Sequence, residues 1–298
     1  MKKTFAALLI LVLVLSLTAC GGSAQPAAPA ASEVSSEEAA PAEAAESSAE
    51  PVVVRIGATG TFYNAIWDVV QEQVADEGIQ LEVVQFNNYS IPNNALNSGE
   101  LEMNAFQHHA YFNNDTSSNG YDLTVIGDTF ILTMNIFSDK IKDISELKDG
   151  DIVAVPNDVT NEGRALRLLE SAGVLELDPE AGSSPAITDI TNYNVKVELN
   201  EVDANLVPTL LPDVTIAVVN GNYALDAGLK AEDALFNETE YPDNSYVNVI
   251  AVRMEDAENP VYQRIVEAYQ SDAVIELFNT QYAGFLSPAW DLNLPEAS

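Results

Sequence analysis

The stretch VAVPNDVTNEGRALRLLE, Val153 to Glu170, reads as a strand, a turn and a helix. An apolar run expected to be a strand over 151–155 meets Pro156, Asn157 and Asp158, and helical spacing is expected from 161 to 172. A strand that hands its chain to a helix through a short loop is the unit of an α/β sheet, and ligands bind beyond the carboxyl ends of such strands. The stretch also carries Arg164, one of only twelve Lys and Arg facing forty-six Asp and Glu. On this reading Arg164 stands in the first turn of the helix, whose free N–H groups already make that end partly positive, so a cation there calls for an anion.

The same pattern extends in both directions. VVVRIGA (52–58) is an expected strand, followed by a helix over 62–77 with Phe62, Ile66, Val70 and Val74 on one face, then a strand at 81–86. A short helix holding Ala95 and Leu96 and strands at 101–106 and 123–132 complete a first cycle. The second has strands at 151–155, near 194–199 and at 214–220 around the helix at 161–172; a strand at 246–254 and a long helix over 260–281 close the chain. This alternation predicts an α/β fold of two lobes built on parallel sheets with right-handed crossovers, and no repeat of fixed period is visible.

The beginning of the chain reads differently. MKKTFAALLILVLVLSLTAC joins two lysines, an apolar run and small residues at a processing site, the pattern of a secretory signal over 1–19. Leu17 to Gly21 resembles a bacterial lipobox, which makes Cys20, the single cysteine, the expected lipid-bearing residue; a disulfide scaffold would need pairs. Several acyl chains on one residue anchor a protein at a membrane. Residues 20–50, rich in Ala, Ser, Pro and Glu with no aromatic residue, read as a disordered tether. The expected location is therefore the extracytoplasmic face of the cell membrane, held by lipid on Cys20.

Charge narrows the partners. A formal net charge of −34 leaves no basic patch to neutralise phosphates, so nucleic acid is not an expected partner. The only two histidines, His108 and His109, are adjacent and diverge on a strand or a helix, and no calcium loop is present, so no metal or other cofactor is expected. Nor is an enzyme: His108 would be the only base for a nucleophile, and no phosphate-binding loop with its lysine occurs.

Residues expected just after strands include Gly57 to Gly60, Asn87 to Tyr89, Phe106 to His108, Pro156 to Asp158, Asn161, Arg164 and Asn220. These are neutral hydrogen-bonding groups beside flat apolar faces, suited to a small amphipathic ligand. Arg164 has two readings at this point: a fork for a ligand carboxylate, or a structural partner of Glu162, Glu201 or another carboxylate. Tyr89 and Phe106 could sandwich an apolar side chain, while Asn157, Asn161 and Asn220 hold a polar headgroup. Trp290, Phe285 and the apolar face of the last helix read as core, Asn87 and Asn88 as turn formers, and His109 as solvent-facing.

Five stretches, NNYSIPNNALNSGELEMNAFQHHAY, SDKIKDISELKDGDIVAVPNDVTNEGRAL, VDANLVPTLL, AVVNGNYA and YVNVIAVR, together resemble the NlpA/MetQ family of methionine-binding lipoproteins, in order over nearly all of 52–290. The resemblance implies a periplasmic-binding-protein-like fold with a ligand cleft between lobes, lobe 1 at 51–136 plus 247–298 and lobe 2 at 137–246. It implies an extracytoplasmic receptor, expected to be a monomer, that serves an ABC permease and its ATPase. Arg164 resembles the residue that grips the ligand carboxylate, with Asn161 beside it; Asn220 resembles the one that fixes the headgroup; Tyr89, Phe106 and His108 match positions around the ligand. Glu201 also matches, with a role left open between ligand and Arg164. L-methionine is the first expected ligand, with a related apolar amino acid or a methionine-containing dipeptide as alternatives, because His109-Ala110, ILTMNIFS (131–138) and the aromatics Phe62, Tyr63 and Trp67 depart from the family pattern. The competing class is a surface interaction or adhesion lipoprotein whose cleft has lost its ligand.

Overall fold

The computed structural model describes residues 50–292 and 294–296. The leader, Cys20 and all of the tether except Glu50 lie outside the described residues. The chain runs through β1 (Val52–Ala58), α1 (Tyr63–Val74), β2 (Ile79–Gln85), α2 (Pro92–Asn97), β3 (Met103–Asn104), α3 (His109–Asn119) and β4 (Leu123–Leu132). It continues through β5 (Met134–Phe137), β6 (Ile152–Pro156), α4 (Val159–Ser171), β7 (Leu175–Leu177), β8 (Ile190–Tyr193), β9 (Glu198–Val202), β10 (Ile216–Asn220), α5 (Gly221–Asp226) and β11 (Phe236–Asn237). It returns through β12 (Val247–Arg253), α6 (Pro260–Tyr269), α7 (Asp272–Gln281) and β13 (Leu286–Pro288).

These elements form a two-lobe α/β architecture. One sheet has the order β13-β4-β12-β3-β1-β2 and the other β11-β5-β10-β6-β9, with β7 and β8 as a separate ribbon. The chain passes between the two main sheets twice, at Thr133 and over 238–246. The first crossing comes earlier than expected: Met134–Phe137 already pairs with β10, so a division at 136–137 would cut a strand.

Both sheets are mixed, which corrects the all-parallel expectation. β1 pairs in parallel with β2 and β3, and β6 with β9 and β10, but β12, β4 and β13 run antiparallel, as do β5, β10 and β11. β5 and β12 arrive from the other main sheet rather than through a crossover helix, and both run antiparallel to their partners, an arrangement common in mixed sheets. The expected helix over 260–281 is two helices separated at Gln270 and Ser271.

Alternation explains why the strands are apolar on both sides. Ala217 and Val219 of β10 face one hydrophobic cluster and Ile216 and Val218 face another; β12 splits Ile250 and Val252 from Val249 and Ala251 in the same way. The largest cluster takes in Phe62, Tyr63 and Trp67, which are core residues. Helix α4 packs Ala165, Leu166, Leu168 and Leu169 under the second sheet, and each buried leucine contributes about 1.5–3 kcal/mol.

Candidate functional site

A cavity lies where the carboxyl ends of β3 and β10 meet the start of α4 and the first crossing. Its empty space, about 340 Å³, includes space open to solvent. Tyr89, Phe106, His108 and Tyr111 form an aromatic wall contributed by segments after β2 and β3. Asn161 and Arg164 of α4 face them, with Asn220 at the end of β10.

Local sequence explains these placements. Asp158 caps α4 by accepting from the backbone N–H of Asn161 at 3.0 Å, which sends Asn161 and Arg164 onto the first two turns. His108 caps α3: its Nδ1 accepts from the backbone N–H of Tyr111 at 3.1 Å. Asn220 is followed by Gly221, whose missing Cβ is required by packing, because a methyl group there would sit 2.6 Å from both Leu132 Cδ1 and the Thr133 carbonyl oxygen. β10 can therefore end directly against the first crossing.

Helix α4 begins at Val159, two residues before the expected start, so Arg164 is in the second turn and its conflict with the helix dipole is weaker than a first-turn position implies. Its anion is Glu238, on the second crossing. Arg164 Nε donates to Glu238 Oε1 at 2.8 Å and Nη2 donates to Oε2 at 2.5 Å and to the Leu132 carbonyl at 2.8 Å. The guanidinium also lies 4.3 Å from the centre of the Tyr246 ring. Burial works against the charged form, but the Glu238 carboxylate outweighs it and holds Arg164 above its ordinary pKa. Nη1 takes part in none of these bonds, so Arg164 is both a structural cation and a residue of the cavity.

A chain of amides lies alongside. Asn161 Nδ2 donates to both carboxylate oxygens of Asp158, at 2.9 and 3.0 Å, while its Oδ1 accepts from Asn220 Nδ2 at 2.7 Å and lies 3.3 Å from His108 Nε2. Asn220 Oδ1 is buried and, among the described residues, has no partner. Burial, then the nearby Arg164 charge, depresses the His108 pKa to about 3, so its imidazole is neutral. Burial raises the Asp158 pKa, opposed by the hydrogen bonds from Asn161. Among the described residues no carboxylate lines the cavity.

The sequence pattern of the NlpA lipoprotein family matches residues 54–290. The chain belongs to the NlpA lipoprotein family. Among family relatives, the Escherichia coli D-methionine-binding lipoprotein MetQ is 35% identical over 245 residues, 81% of this chain and 90% of that protein. A nutrient-binding protein of Burkholderia cenocepacia, solved bound to methionine, is 38% identical with a TM-score of 0.75, and the match covers 79% of this chain and 99% of that one. The substrate-binding protein of a methionine transporter from Streptococcus pneumoniae is 32% identical with a TM-score of 0.76, covering 80% and 96%.

Within this NlpA chain, all six residues expected at a ligand, Arg164, Asn161, Asn220, Tyr89, Phe106 and His108, line the one cavity. Tyr89 and Phe106 are 6.1 Å apart and inclined by 31°, and the Tyr89 hydroxyl donates to Asn222 Oδ1 at 2.6 Å. Other residues lie elsewhere. Asn157 is exposed and donates to Asp203 at 3.0 Å. Glu201 is exposed and its carboxyl meets that of Glu162, whose pKa is raised chiefly by burial and then by Glu201. His109 is half-buried, 2.7 Å from Asp128, rather than free in solvent. The residue reading passed over Tyr111, Asn248 and Glu238. A signal existed for Asn248, a polar residue inside the otherwise apolar strand VNVIAV. Glu238 had none, because seventy-four residues separate it from Arg164.

Proposed function

We propose that this protein is a lipid-anchored, substrate-binding lipoprotein that captures a free amino acid, L-methionine first, between its two lobes and delivers it to an ABC permease and its ATPase. No bond is made or broken. The observation that carries this reading is a fixed donor and a fixed acceptor in one cavity: the Nη1 edge of Arg164, which the Glu238 fork does not use, and the unpartnered Oδ1 of Asn220. A zwitterion presents the complementary pair, a carboxylate and an ammonium, one carbon apart. Tyr89, Phe106 and Tyr111 then enclose an apolar side chain, against which a thioether makes favourable ring contacts.

In this reading the monomer is anchored through Cys20 on the extracytoplasmic face, and the lobes, divided near Thr133 and within 238–246, close on the ligand. Closure follows from tighter binding to the closed form, which shifts the population toward it. The methionine named for the Burkholderia, Streptococcus and Escherichia relatives supports L-methionine or its enantiomer as the first candidates.

The test is calorimetric titration of protein that has been unfolded and refolded to release carried ligand. One-to-one binding of L-methionine is expected, weakened about 10- to 100-fold in Asn220→Ala, the effect of losing a hydrogen bond to a charged group, about 1.5–3 kcal/mol. Selective binding of another amino acid or glycyl-methionine would change the ligand and keep the receptor; refolded protein that binds none of them would overturn the reading.

A further inference from the structure

The ring of Tyr89 is held at its far end from across the molecule. It lines the cavity from the loop after β2, where it is only half-buried, with Phe106, Tyr111 and Tyr223 at 6.1, 5.7 and 5.1 Å between ring centres. Ring contacts alone hold a half-buried side chain loosely, whereas a hydrogen bond at its tip fixes where it points. The partner in that bond is itself fixed. Asn222, in the first turn of α5, is buried, and its Nδ2 donates to the Thr59 carbonyl at 3.1 Å. A carbonyl only accepts, so Asn222 Oδ1 is the atom turned to Tyr89, and it takes the Tyr89 hydroxyl at 2.6 Å. Burial raises the Tyr89 pKa well above its ordinary value, which keeps the hydroxyl a donor. Gly60, at φ +116°, lets the loop after β1 turn close beside Asn222; a Cβ there would lie 3.4 Å from that of Asn222.

We infer that Asn222 is a specificity-positioning residue: without touching the ligand it fixes the ring of Tyr89, and so sets how strongly the cavity prefers a long apolar side chain over a short one. This rests on the amino-acid reading above. Asn222 does not line the cavity, so its effect passes through a residue that does, and the Tyr89 hydroxyl is the route. The hold also spans the two sheets. Asn222 follows β10 of the second sheet, while Thr59 and Tyr89 follow β1 and β2 of the first, so this part of the aromatic wall is complete only when loops of both sheets meet.

The test is calorimetry, by displacement where binding is weak, with L-methionine and with L-2-aminobutyrate, which has the same headgroup and a side chain that ends at Cγ. The proteins are the wild type, Asn222→Ala, Tyr89→Phe and the double variant. Each single variant is expected to lower the preference for methionine at least about threefold, the order of one neutral hydrogen bond, with affinity for 2-aminobutyrate kept within about twofold. The double variant is expected to match the single ones within about twofold, because both remove the same bond. Losses that multiply would mean that Asn222 acts by another route, and losses that fall equally on both amino acids would mean that it holds the sheets together rather than the ring; either would overturn the inference and leave the receptor reading intact. Tyr89→Phe keeps the ring and the bond from Asn222 to Thr59, so it decides alone if Asn222→Ala does not fold, and an unchanged preference there would overturn the inference. Wild-type protein with no preference for the longer side chain would overturn the inference alone, and protein that binds no amino acid would overturn both.

Discussion

The two walls of the cavity are built on different physical terms. The wall that follows β2 and β3 is aromatic and uncharged, and its members pack edge to face: Tyr89 against Tyr111 at 5.7 Å, Phe106 against Tyr111 at 6.0 Å. The wall from α4 and β10 is a network of directed hydrogen bonds around one buried cation, and the acceptor it leaves open is the Asn220 Oδ1 at the cavity. Packed rings tolerate small changes of shape, whereas a buried polar network tolerates none that leave a charge alone. The headgroup should therefore be recognised strictly and the side chain loosely.

The hardest blow to that contrast is Arg164→Ala. It removes the one cation that lines the cavity among the described residues and leaves the buried Glu238 carboxylate without a counter-ion, with only the Met134 N–H and the Tyr241 hydroxyl donating to it, so unfolding in urea should show a loss of about 3–5 kcal/mol, accompanied by loss of measurable ligand binding. A variant with full stability and unchanged affinity would show that the polar wall is neither structural nor a binding surface.

A finer probe lies where the walls touch. The folded-state pKa of His108, about 3, is below its ordinary value of 6.5, so the unfolded chain takes up this proton first as pH falls. The stability tied to neutral His108 is intact above pH 6.5 and is lost toward pH 3 at about 1.4 kcal/mol per pH unit, about 2 kcal/mol by pH 5. His108→Gln removes this component, so its stability relative to wild type should rise on acidification; parallel curves between pH 7 and 5 would contradict a buried neutral imidazole. The mildest expected effect is on the aromatic wall. Phe106→Leu should cost about 1–2 kcal/mol in methionine affinity and less for alanine, whose side chain barely reaches the ring. Equal losses for both amino acids would assign Phe106 to the headgroup instead.

What sequence could reveal follows the range of the interactions. The strand-turn-helix units are local, and so is the cap that starts α4, which is why Asn161, Arg164 and Asn220 could be placed on one rim from spacing alone. The helix start was still misread, because Val159 and Thr160 are weak helix formers that a side-chain cap at Asp158 draws into the first turn. Strand direction was less legible. A Val-rich run such as β12 looks the same whether it runs parallel or antiparallel, and only its partners β4 and β3 decide. The partner of Arg164 lay beyond any local signal: in a chain with forty-six carboxylates, the fold alone selects Glu238.

One seam completes the molecule. Helix α5 is fastened to the loops after β1 and β2 by Tyr89 to Asn222 at 2.6 Å, Asn222 to the Thr59 carbonyl at 3.1 Å, and Thr61 to Asp226 at 2.7 Å. Among the described residues no cation takes part in this fastening. On this seam ionic strength consequently acts in one direction. Screening shortens the reach of repulsion across a surface rich in carboxylates while removing nothing from the seam, so brine should hold the lobes together where it would loosen a protein clasped by surface ion pairs.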